Sequence, residues 1–236
     1  MYYYGLDYTY LVLVLPFLLL AMWASSNVNS TYKKYSQQLS RRGLTGAQAA
    51  QWVLNAGGAG DVVISHVGGH LTDHYDPRDK VIRLSDSVYN STSTAAIGVA
   101  CHEAGHAVQY ARGYFPIKIR SVIIPLTNFG SKLAMPLILL GLLFSFSGHF
   151  SQVMVNIGIA CFGLSVIFQL VTLPVEFDAS HRAMVYIRQT GLLTEEEQRG
   201  ARKTLQAAAL TYVAATAVAL SQLLRLVLLF GRRRDD

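Results

Sequence analysis

Apolar residues in this chain gather into four long blocks, over about Tyr8–Ala24, Ala134–Phe150, Val153–Leu173 and Ala207–Phe230. A hydrocarbon core of about 30 Å takes roughly 17–25 helical residues to cross, so each block is predicted to be a transmembrane helix. Only the short stretch around Ser147–Gln152 separates the second block from the third, which predicts a helical hairpin. The pattern divides the chain into an anchor (1–24), a main extramembrane region (25–128), the hairpin (129–173), a second extramembrane segment (174–206), a last span (207–230) and a charged tail (231–236). The start, MYYYGLDYTY, has Asp7 but no basic residue, and no small-residue cleavage site follows the first block, so an uncleaved anchor is expected rather than a signal peptide.

Polar and apolar positions in the extramembrane region follow shorter periods. Thr45-Gly-Ala-Gln48 has the spacing of a capping box, and Ala49, Trp52 and Val53 continue at helical spacing until Gly57-Gly58. Two β-like runs follow, 61–66 and 80–84, with the turn-rich Thr72-Asp-His-Tyr-Asp-Pro77 between them. After Asn90-Ser-Thr-Ser93 a long helical pattern runs from Thr94 to about Gly113. The fold expected is a membrane α+β protein: about four transmembrane helices joined to a small helix–β-hairpin–helix unit.

Composition supports this picture. Of 236 residues, 52% are hydrophobic and 14% charged, against about 25% charged in a typical soluble domain. Abundant aliphatic and aromatic residues exclude a disordered chain, and two cysteines, Cys101 and Cys161, exclude a disulfide scaffold. The net charge of +6 could suggest nucleic acid, but the cations cluster beside the apolar blocks. Lys33, Lys34, Arg41 and Arg42 follow the first, Lys118, Arg120 and Lys132 precede the second, and Arg182, Arg188, Arg199, Arg202 and Lys203 lie between the third and fourth. That distribution fits anionic headgroups and cytoplasmic polar loops, and no nucleic-acid partner is expected. Arg232–Arg233–Arg234 disagree with it, since four spans would put them outside. Arg225 in the last block lies near an end and is expected to snorkel.

The candidate chemistry is His102-Glu103-Ala-Gly-His106. On a helix, side chains at i and i+4 share a face, so both imidazoles can reach one ion while Glu103 addresses a water on it. Two imidazoles suit zinc, and a catalytic zinc needs a third protein ligand plus an open position. Glu195, Glu196 and Glu197 read as the acidic first turn of a helix. Glu176, in Pro174-Val-Glu-Phe-Asp-Ala-Ser180, follows the hairpin on the side that carries the histidines and is the better third ligand. The competing reading of Glu176 is a carboxylate at a helix N-terminus just after Pro174. Asp178 is expected to support or cap rather than to ligate. His181, Arg182, His74 and Tyr75 are candidates for stabilising an oxyanion. His66, His70 and His74 are expected to be surface or hairpin histidines, and Asp73 and Asp76 to serve the turn.

HEAGH, DHYDP, QLVTLPVEFDASHRA and AAALTYVAA together resemble the YugP-like family of membrane neutral zinc metallopeptidases, over nearly the whole chain. A wider resemblance runs to HtpX-like membrane gluzincins, where the ligand Glu opens an E-[FY]-x-A-D pattern; here it is Glu176-Phe-Asp-Ala-Ser180, with Ser180 in place of the Asp that supports the first histidine. The resemblance implies a zincin-like unit with zinc (Zn2+) on His102, His106 and Glu176, and with Glu103 as general base. It leaves Asp178, Ser180, His181 and Arg182 to support the ligands or the oxyanion. The implied activity is zinc-dependent hydrolysis of peptide bonds; the position of Glu176 at the end of a span adds the expectation of membrane-associated or unfolded protein substrates, and the basic loops that of a multi-pass protein of the cell membrane whose site faces the cytoplasm. The run 80–84 is expected to offer an edge to an extended peptide. A zinc-binding scaffold or adaptor without turnover is the alternative, and a membrane-protein partner or a second copy stays open.

Overall fold

A computed structural model describes residues 8–144 and 148–230. The elements are α1 (Tyr8–Leu13), α2 (Leu15–Tyr35), α3 (Gly46–Gly57), β1 (Val63–Val67), β2 (His74–Asp76), β3 (Val81–Ser85), α4 (Thr94–Ala111), α5 (Phe115–Leu143), α6 (His149–Gln189) and α7 (Glu195–Phe230). The described residues fall into two compact units. One comprises 24–118 and 173–211; the other comprises the remainder.

The first unit is built around α4. Ser93 caps this helix, its hydroxyl accepting from the Ala96 backbone N–H, and Thr45 and Gln48 form the expected capping box on α3. From Ala95 to Val108 the helix is rich in alanine and glycine, and small side chains let neighbours approach on several sides. An added Cβ at Gly98 would stand 3.2 Å from the Ala201 Cα on α7, and one at Gly105 only 2.5 Å from the Ala179 carbonyl oxygen on α6. Ala49, Val53 and Leu54 of α3, Ile82 and Leu84 of β3, Ala183 and Ile187 of α6 and Leu205 of α7 complete a continuous apolar core.

The sheet corrects one expectation. The two β-like runs are not a hairpin: β1 and β3 pair in parallel, Val63 opposite Val81. The return is made by the turn-rich stretch itself, where His74–Asp76 pairs antiparallel with β3, giving the order β1-β3-β2. The hairpin is therefore β2–β3, and it turns where the Asp76 carboxylate accepts from the Arg78 N–H. Asp73 holds the far end, accepting from the Ser85 N–H at 2.7 Å and from the Ser85 hydroxyl at 2.9 Å. Because β3 lies in the middle, the run 80–84 has no free edge.

In the second unit, α5 and α6 form the expected antiparallel hairpin. Gly141 lies against Ser151 and Val155, Gly158 against Ala134 and Ile138, and Gly130 against Cys161. Such small residues bring helix backbones together where no hydrophobic gain separates lipid from protein. Leu139, Leu143, Phe150, Ile157, Ile167, Leu170 and Val227 are exposed, as lipid-facing side chains should be. The Arg225 guanidinium lies 5.4 Å from the Tyr10 ring centroid.

Among the described residues three helices, α5, α6 and α7, are long and apolar enough to cross a membrane. The first expected span is not among them. Its helix is divided at Val14, two residues before Pro16, and beyond Ala24 the continuing helix α2 is polar. Proline cannot donate to the helix ladder and crowds the preceding turn. The tail arginines 232–234, and residues 145–147 with the start of the predicted hairpin connection, lie outside the described residues.

Candidate metal centre

Helix α4 presents His102 and His106 one turn apart, their ring centroids separated by 4.7 Å. Gly105, between them in sequence, lets α6 come close enough to bring Glu176 to both rings. The Glu176 Oε2 atom is 3.3 Å from His102 Nε2 and 3.5 Å from His106 Nε2. One ligand atom from each of the three residues lies within 4.8 Å of the others. Among the described residues no other group of three metal-ligating side chains comes together.

Glu176 is not at a helix N-terminus. Helix α6 continues through Pro174, so the carboxylate is in mid-helix and the capping reading has no structural basis. Glu176 is also nearly inaccessible, at 2% exposure. A buried carboxylate facing two imidazoles is costly unless cations or a metal balance it.

The remaining ring nitrogens are occupied from outside the centre. His102 Nδ1 is 3.0 Å from the Ser180 hydroxyl, and His106 Nδ1 is 3.0 Å from Gln109 Oε1. Gln109, wholly buried, donates through Nε2 to the Val175 carbonyl and to the Asp178 carboxylate, each at 2.8 Å. Asp178 also accepts from Arg182 Nε at 2.6 Å, and the Arg182 guanidinium lies 5.5 Å from the Tyr114 ring centroid. Both imidazoles thus have Nε2 facing Glu176. Two imidazole nitrogens and one carboxylate oxygen form a donor set that suits zinc and leaves a coordination position open.

Glu103 lies beside the three without joining them. Burial pushes its carboxyl up to about 7, with Glu176 and Asp73 adding to the rise; the His102 ring and the Tyr75 backbone N–H oppose it. A carboxyl tuned near neutrality is suited to taking and returning a proton at working pH.

The other candidates separate. His74 interacts with the Thr72 carbonyl at 2.9 Å, and His66 pairs with Asp86 at 2.6 Å, both at the surface. Tyr75 packs its ring 5.6 Å from that of Tyr110. His181 is exposed, and Arg182 is committed to Asp178. Gln109 and Gly105 are absent from the sequence-based candidates. Gln109 had a readable signal, because position i+3 from His106 lies on the same face of α4.

The family model described as "Putative neutral zinc metallopeptidase" matches residues 10–231. A relative named "Putative membrane protease YugP", from Bacillus subtilis (strain 168), is 44% identical over 227 residues, covering 96% of this chain and 99% of that protein. No solved structure matches.

Proposed function

The chain belongs to the neutral zinc metallopeptidase family just described, and from that premise we propose that it is a membrane-embedded endopeptidase using His102, His106 and Glu176 as zinc ligands and Glu103 as general base. The observation that carries this reading is the meeting of three ligand atoms from α4 and α6, on half-buried His102 and buried His106 and Glu176, beside a second carboxylate, Glu103, that is not one of them. Zinc held by His102, His106 and Glu176 would supply Lewis acidity and make a water in the site acidic enough to lose its proton near neutral pH. Glu103 takes the proton of the attacking water and delivers it to the departing amine. Ser180 and Gln109 hold the two imidazoles in place.

The substrate strand aligns on β2 in this reading, since β2 is a sheet edge and its Tyr75 N–H already reaches Glu103. Glu176 follows the apolar stretch 153–173 by three residues along α6. Substrates held near the bilayer, membrane-associated or unfolded proteins, suit a site so close in sequence to a span. The protein is a multi-pass component of the cell membrane with this site on the cytoplasmic side, where the short basic loops lie.

The test is peptide-bond cleavage by the detergent-purified protein, wild type beside Glu103→Gln, on a membrane protein and on casein, with zinc content measured for both. Turnover in the wild type that falls by about 10²–10⁴-fold in the variant, at equal zinc content, supports the peptidase. Bound zinc without turnover in either protein overturns it in favour of a non-catalytic zinc scaffold.

A further inference from the structure

We propose that a cavity between α2 and α7 binds the phosphate of an anionic phospholipid headgroup. The inference goes beyond the metal centre and does not depend on it.

The cavity measures about 420 Å³, within the range of small-ligand sites, and its lining belongs wholly to the unit of 24–118 and 173–211. Its walls follow helical spacing. Asn27, Thr31, Lys34 and Tyr35 come from one face of α2, and Lys203, Gln206, Ala207 and Leu210 from one face of α7. The two helices change polarity in opposite senses along the chain. Helix α2 leaves its apolar block at Ala24 and becomes polar, whereas α7 is polar until its apolar block begins at Ala207. The cavity therefore occupies the stretch where both helices pass between polar and apolar sequence, which is the level of headgroups at a membrane surface.

The lining suits a phosphate. It contains two ammonium groups, and no Asp or Glu among the described residues. Neither lysine makes an ion pair with a described carboxylate; the Lys34 ammonium stands 5.5 Å from the Tyr35 ring centroid. The side chains of half-buried Asn27 and Thr31 and of exposed Gln206 have no hydrogen-bond partner among the described residues. A phosphate supplies negative charge to the lysines and acceptor oxygens to the amides and the hydroxyl. An adjoining cavity shares Tyr35 and Lys203 and adds Arg199 and Arg202 against a single acid, Glu195. Leu210 lies inside the apolar block of α7, so it offers a path for an acyl chain that a soluble phosphate ester would not use. That continuity favours a lipid as the source of the phosphate.

The experiment is native mass spectrometry of the full-length protein released from detergent micelles. It is titrated with dioleoyl phosphatidylglycerol or dioleoyl phosphatidylcholine at about 0.15 M ionic strength, where surface charges more than about 8 Å apart are screened. The first phosphatidylglycerol should bind more tightly than the first phosphatidylcholine. Each lysine beside an anionic headgroup is worth about fivefold in affinity, so Lys34→Gln/Lys203→Gln should weaken that first phosphatidylglycerol about 30-fold. Lys33→Gln/Lys118→Gln removes the same charge from exposed positions outside the lining and should change it by no more than about twofold. Equal weakening by the two double variants would overturn the proposal in favour of a diffuse basic surface. Equal binding of the two lipids by the wild type would overturn it without any variant having to fold. Glycerol 3-phosphate has the phosphate but no acyl chain and should compete poorly. Displacement of phosphatidylglycerol by an equal concentration of it would overturn the lipid and make this a site for soluble phosphate esters. No readout needs zinc or turnover, so a failure here and a failure of the peptidase reading are told apart.

Discussion

Gly105 and Ala179 meet at a distance that admits no side chain: a Cβ built on Gly105 lies 2.5 Å from the Ala179 carbonyl oxygen. Gly105 lies between the two histidines of the motif, and Ala179 lies between Glu176 and Ser180, so the contact sets how closely the two halves of the centre approach. Gly105→Ala is expected to push α4 from α6, because a backbone atom cannot swing aside as a flexible side chain does. The expected cost is about 1–3 kcal/mol of stability, as for other overpacked cores. Zinc affinity should fall together with it. Thermal unfolding and zinc content of the variant check this; native zinc affinity would show that the helices have slack the structure does not display.

Glu103 and Glu176 should separate by what their loss removes. Glu176→Gln keeps size but takes away the anionic oxygen shared by both imidazoles, so zinc content and turnover should be lost together. Glu103→Gln should abolish turnover with zinc retained, because this carboxylate is not one of the three clustered ligands. Metal analysis on the two variants decides it, and equal zinc loss in both would make Glu103 a ligand.

Much of the centre was legible in the sequence because a helix converts spacing into geometry. His102 and His106 at i and i+4 could share one face and nothing else. Glu176 was legible less directly, from the return of the chain after two apolar blocks. The competing reading failed because Pro174, expected to open a helix, lies inside α6. The sheet was misread for a different reason. Strand β2 is only His74–Asp76, too short for alternation to register, and Asp76-Pro77 dominates the stretch as turn chemistry. Gln109 and Gly105 escaped because neither bears a charge; the i+3 spacing did put Gln109 beside His106, but its bonds to Val175 and Asp178 and the Gly105 contact arise only when α6 is laid against α4.

Metal removal should be felt in stability as well as in activity. A ligand that binds only the folded state stabilises it by RT ln(1 + [L]/Kd), about 2.7 kcal/mol at a hundredfold excess over Kd. Chelation should therefore lower the unfolding temperature of the wild type, and added zinc should restore it. Glu176→Gln should show neither shift. An unfolding temperature indifferent to chelator in the wild type would remove zinc from the folded state.

Glu197 gives a pH dependence that does not involve the metal centre. It is buried in the first turn of α7, before the apolar stretch that begins at Ala207. Its Oε1 accepts from the Arg41 N–H at 2.7 Å and its Oε2 from the Thr194 N–H at 2.8 Å. Burial alone would raise its pKa, but these N–H donors outweigh burial and hold the carboxyl below its ordinary value. A group whose folded pKa is depressed contributes stability that is complete above its unfolded pKa and is lost as pH falls through the folded one. Glu197→Gln should therefore cost about 1.5–3 kcal/mol near pH 7, the range for hydrogen bonds to a charged group. The gap between variant and wild type should narrow once pH drops below about 4.3, the ordinary glutamate value. Taking the difference between the two proteins at each pH cancels whatever the groups that both share contribute. Unfolding measured at neutral and acid pH tests it: a gap that stays constant with pH would mean that Glu197 contributes packing alone, and one that widens in acid would reverse the sign of its shift.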